Sequence, residues 1–108
     1  MDVMTRNVSG PFTGPEVNAG RVSSTREGTG IGLALSPDFV IPDAPAPHWQ
    51  AVDADGNAYL LQRLKVVGDK EHRTIAVPSY VKSVAKVRIW CAFAEVMLGE
   101  ASFDSPVK

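Results

Sequence analysis

Apolar residues in this chain recur at every second position. Ile31, Leu33 and Leu35 alternate with Gly32 and Ala34, the pattern of a half-buried strand with small residues on its outer side. Val87, Ile89, Cys91 and Phe93 alternate with Lys86, Arg88 and Trp90, placing the first four on one core-facing side. Ile75 and Val77 alternate up to Pro78, which ends that strand, and Val96 and Leu98 carry apolar character toward Ala101 and Phe103. Helix signals are poor. The fair helix formers of 92–100 directly follow a strand-like run and end in Gly99-Glu100.

The turn chemistry agrees with the strand pattern. Asp53-Ala54-Asp55-Gly56-Asn57 is rich in residues that tolerate tight-turn and left-handed conformations. It predicts a hairpin between His48–Val52 and Ala58–Val67. Gly68-Asp69-Lys70-Glu71 predicts a second, charged turn. Three prolines within Pro42–Pro47 can neither donate to a ladder nor continue a helix, so that stretch reads as a semi-rigid connection between strands. Short strands separated by frequent turns predict an all-β fold: a single-domain β-sandwich of short antiparallel strands. Prolines and outward Lys and Arg would protect its edges, and an unprotected edge would let copies pair into a homo-oligomer.

Composition narrows the function classes. A chain of 108 residues, 44% hydrophobic and 21% charged, is one ordinary globular domain able to build its own core. Eleven basic against twelve acidic residues create no field for nucleic acid or an anionic membrane. No apolar run approaches the roughly 20 residues of a spanning helix, so no membrane span is expected. Met1 to Arg6 lack a basic region followed by an apolar core, so no signal peptide is expected in this chain. One cysteine excludes an intrachain disulfide, a cysteine-only zinc site and covalent c-type haem.

That cysteine, Cys91, is the first chemical candidate. Its position in the alternating strand predicts a small buried hydrophobe. Its chemistry allows a redox thiol, or a soft ligand to haem iron or copper. His48, His72 and Met97 complete the ligand types of a copper site, but no histidine lies between Cys91 and Met97, and strand parity points those two to opposite faces unless a bulge intervenes. Trp49 predicts packing over a sheet edge with one polar contact, with His48 at the surface. His72, within Lys70-Glu71-His72-Arg73, predicts a solvated residue. Gly28-Thr29-Gly30-Ile31-Gly32 lacks the Lys-Ser/Thr ending of a phosphate loop. The serines lack a nucleophile elbow, and Glu95 and Glu100 do not share a strand face. No acid, base and nucleophile set appears at usable spacing, which argues against a conventional enzyme.

The run Val87 to Phe103 resembles the DM-thirteen domain family. Its most recognisable features are read in Ile89-Trp90-Cys91, Phe93, Val96, Gly99, Ala101 and Phe103. Weaker similarity reaches back through Ile75-Ala76-Val77-Pro78, Leu61 to Leu64, Pro47-His48-Trp49 and Leu33 to Phe39 to the segment Phe12 to Gly20. The resemblance implies a β-sandwich over 12–103, an N-terminal extension over 1–11 and a tail over 104–108. It also implies a periplasmic or extracellular setting near membrane cytochrome b-type partners, and an electron-transfer role for Cys91 as naked thiol or prosthetic-group ligand. The electron partner would be a separate redox or membrane-associated protein. His48 stands where the family commonly has Asp, Gln62 where it has Gly, and Ile75 where it has Tyr. Two functions are therefore expected: an exported redox accessory domain acting through Cys91, or a non-catalytic structural or binding module with Cys91 inert.

Overall fold

The computed structural model describes residues 7–66 and 70–108. Ten strands follow one another without a helix among the described residues. They are β1 (Asn7–Val8), β2 (Val22–Glu27), β3 (Gly30–Leu35), β4 (Pro47–Val52), β5 (Ala58–Arg63), β6 (Lys65–Val66), β7 (Lys70–Glu71), β8 (Thr74–Ala76), β9 (Val84–Cys91) and β10 (Val96–Val107). One sheet has the order β1-β2-β3-β8, the other β10-β9-β4-β5, and β6-β7 form a small ribbon. All pairings are antiparallel. The chain is an all-β sandwich.

The alternating runs build the core as the pattern predicts. Ile31, Leu33 and Ile75 face inward from the first sheet, and Trp49, Ala51, Val87, Ile89 and Cys91 from the second. Burying one face of each strand fixes its register, because a slip of one residue would turn every side chain to the wrong side. The hairpin at Asp53–Asn57 joins β4 to β5 with Val52 opposite Ala58. Val77 is buried just past the end of β8, and the strand stops before Pro78. The tip of the second charged turn, Gly68-Asp69, lies outside the described residues; β6 and β7 pair on its two sides. Strand pairing extends past both ends of the 12–103 span: β1 pairs with β2, and Val107 pairs with Val84 and is buried.

Four local expectations are corrected. Phe93 is 78% exposed instead of facing the core, because β9 ends at Cys91 and residues 92–95 form the turn to β10. Glu95 closes that turn at φ 58°, with its N–H donating to Cys91 O at 2.7 Å. Trp49 does not cover a sheet edge, since β4 is flanked by β9 and β5. Its indole is fully buried and Nε1–H donates to the His72 carbonyl at 2.8 Å. His72 is half-buried instead of solvated, held by that contact and by its own N–H on Leu64 O. Gly32 is buried between Thr25 and Ala76 on the neighbouring strands, instead of lying on an open outer side.

The free side of β10 is closed by the chain's own N-terminal part. Gly10 N–H donates to Ser102 O, Thr13 exchanges bonds with Glu100, and Glu16 and Val17 both donate to Leu98 O. Two glycines permit this approach. A Cβ on Gly14 would lie 2.5 Å from the Gly99 Cα, and a Cβ on Gly99 would lie 2.5 Å from the Val17 Cβ. A β-bulge between Met97 and Gly99 shifts the parity of β10, so that Leu98, Ala101 and Phe103 all reach the core.

Candidate functional site

Cys91 ends β9 on the core face, 1% exposed, in the same apolar cluster as Val87 and Ile89. It is free, with no second cysteine in the chain. The turn that follows aims backbone donors at it: Ala94 N–H lies 3.4 Å from Sγ. That bond holds the thiol below its ordinary value; burial opposes the shift, and the N–H groups of Ala46 and Phe93 add to it. Lys86 and Arg88 stand on the opposite face of β9 and contribute nothing to this shift.

Two of the remaining candidate ligands, His48 and Met97, stand on the other face of the sheet. Trp90 sits opposite Met97 on β10 and opposite His48 on β4, while Cys91 sits opposite Pro47 and Val96. His48, Trp90 and Met97 thus form one half-buried row across three strands on the outer face. His48 Nδ1 is 2.9 Å from Ala46 O, which ties the ring to the proline-rich connection. His72 lies off this sheet, just beyond β7. The bulge in β10 falls after Met97 and does not bring it to the face of Cys91. The sheet therefore separates Cys91 from His48 and Met97, and this set does not fit a copper centre. Haem does not fit either: Cys91 is 1% exposed within the apolar core cluster, which leaves its Sγ no free face for a porphyrin iron. Among the described residues no group of three or more His, Cys, Asp or Glu could hold a metal ion.

The next row on the outer face is polar. Arg88 lies between Gln50 on β4 and Glu100 on β10. Arg88 Nε donates to Glu100 Oε1 at 2.9 Å, and Lys86 Nζ reaches Oε2 at 3.5 Å. Burial alone would raise the Glu100 carboxyl, but these two cations outweigh it and hold it below the usual range. Gln50 is 8% exposed and its Oε1 has no hydrogen-bond partner among the described residues. Strand parity already separates Trp90 from Cys91 in the sequence. Only the strand pairing brings His48 and Met97 to either side of Trp90, and Gln50 beside Arg88.

Comparison of the chain with protein-family models, with curated proteins and with solved structures finds no match.

Proposed function

We propose that the chain is a non-catalytic structural or protein-binding β-sandwich module in which Cys91 is a core residue. The observation that carries this reading is the burial of Cys91, 1% exposed among apolar neighbours. A thiol that solvent cannot reach exchanges neither disulfides nor ligands at a useful rate. What the fold offers to a partner is backbone at strand edges and the outer sheet face around Trp90. The test is titration of the native protein with a chromogenic aromatic disulfide. Reaction only after denaturant is added supports the module. Rapid, stoichiometric reaction of the native thiol overturns it, as does a visible haem or copper spectrum that disappears in Cys91→Ala.

A second reading, the exported redox accessory domain, draws on the Ala94 N–H bond to Sγ, which favours thiolate. In that reading Cys91 exchanges electrons with a separate redox or membrane-associated protein. It expects alkylation of the folded protein with a pH midpoint below the thiol's ordinary value near 9.0. Alkylation that tracks global unfolding at every pH removes it.

A further inference from the structure

We propose that the groove between residues 16–19 and 40–43 receives a basic, extended segment of a partner protein. Its lysine or arginine side chains meet Glu16 and Asp43, and an apolar side chain between them lies on Val40 and Ile41. The inference rests on reading the chain as a protein-binding module, and it gives the partner a place apart from the strand edges and the Trp90 face.

Both walls are preformed. In the first, Gly14 N–H donates to Asn18 Oδ1 at 3.2 Å and Asn18 Nδ2 donates to Gly14 O at 2.7 Å, which closes the loop around Glu16. Glu16 and Val17 N–H donate to Leu98 O and fasten that loop to β10. In the second, Phe39 N–H donates to Ser36 O, and Arg73 Nη2 donates to Ser36 O at 3.1 Å and to Phe39 O at 2.8 Å. The walls meet at Gly20, where a Cβ would lie 2.7 Å from the Phe39 Cα. The space between them is about 450 Å³, with the buried Val17 at its base. A groove held in shape before binding loses little further entropy when it is filled.

The lining is apolar, and its charge has one sign. Val40 leaves 70% of its surface in water, with Ile41 half-buried beside it and Ala19 exposed on the other wall. Among the described residues the charged side chains of the lining are Glu16 and Asp43, one on each wall. Neither has an ion pair among the described residues, whereas Glu71 and Glu100 do. The cations of the neighbouring segments turn to backbone carbonyls: Arg21 to Ser9 O, Arg63 to Pro45 O, and Arg73 to the pair named above. Two carboxylates so placed favour a positive partner and repel an acidic one.

The backbone selects a peptide over a small organic cation. Val40 and Ile41 lie outside any strand, and among the described residues their N–H and C=O groups make no hydrogen bond. They offer donors and acceptors to a chain laid along that wall, in the manner of peptide recognition by strand addition. A small amine would use neither, and beside the exposed Val40 and Ala19 it would stay largely in water.

The test is amide NMR of the isotopically labelled full chain during titration with acetyl-Lys-Val-Lys-amide. The expected result is saturable shifts at Glu16, Ala19, Val40 and Ile41 with a Kd of about 1 mM, and none with acetyl-Glu-Val-Glu-amide. Glu16→Gln combined with Asp43→Asn should weaken binding by about tenfold, and Val40→Ser by about threefold. All three positions are exposed, and unchanged spectra elsewhere show that the variants are folded. Butylammonium should bind about tenfold more weakly than the peptide, and equal affinity overturns the peptide as occupant. No shift at about 10 mM peptide, equal binding of the acidic peptide, or indifference to the double variant each overturns the proposal. Shifts confined to Ala58–Arg63 or to Trp90 also overturn it, while leaving the protein-binding reading intact. A reactive native Cys91 counts against that reading without moving any of these shifts.

Discussion

The Tyr59 hydroxyl donates to Asp53 Oδ2 at 2.9 Å, across the turn between β4 and β5. Asp53 also accepts the backbone N–H groups of Asp55 and Asn57 on Oδ1 and the Asn57 side-chain amide on Oδ2. One carboxylate thus organises the turn and anchors the strand after it. Asp53→Ala should lower the melting temperature by several degrees, because turn donors and the phenol lose their acceptor together. Tyr59→Phe removes a single bond and should cost a smaller part of that. Calorimetry of the two variants checks the order, and equal losses would place the effect outside this network.

Acid should weaken the fold through the same carboxylates. Burial by itself would raise Asp53, but the Asn57, Tyr59 and Asp55 donors outweigh it; Arg88 and Lys86 do the same for Glu100. A carboxyl with a lowered folded-state value contributes stability that is complete above its unfolded value, near 3.8 for Asp53 and 4.5 for Glu100. That contribution is lost as pH falls through the folded-state values. The melting temperature should be level from pH 7 to about 5 and fall below that. Glu100→Gln should flatten part of the fall, and an acid limb identical to wild type would remove Glu100 from the account.

Gly99 is required by contact, not by an unusual φ. Gly99→Ala places a methyl group 2.5 Å from the Val17 Cβ and should cost about 2 kcal/mol, as overpacking does. Faster exchange of the Glu16 and Val17 amides, which donate to Leu98 O, should accompany the loss. Urea titration measures the first effect and exchange the second.

Ser24 is the opposite case. It is 1% exposed in β2, and its Oγ has no hydrogen-bond partner among the described residues. Ser24→Ala removes a desolvated hydroxyl at almost constant volume and should raise stability by about 1 kcal/mol. A destabilised Ser24→Ala would mean that the hydroxyl has a partner in solution.

Strands with one apolar face were readable from period-2 alternation: β3, β8 and β9, with the Asp53–Asn57 hairpin between β4 and β5. The segment Val22-Ser23-Ser24-Thr25-Arg26-Glu27 was not, because its residues carry little apolar alternation. It becomes β2 through pairing with β3. Phe93 was misplaced because periodicity cannot show where a strand stops, and the turn after Cys91 reverses the chain. Cys91 itself was readable as a core position. Its N–H partner from Ala94 was not, since that depends on the shape of the turn.

By itself the sequence determined the all-β class, the single cysteine, the core face of β9 and the turn that makes the β4–β5 hairpin. These follow from local chemistry: alternation, turn residues and residue counts. Tertiary structure alone decided which strands became neighbours. That choice buried Trp49, put Cys91 on the opposite side of the sheet from His48 and Met97, lined β10 with the N-terminal segment and placed β5 last in its sheet among the described residues. Each depends on contacts between residues far apart in the chain. Local pattern selects which face of a strand is buried, but not what pairs with its edges.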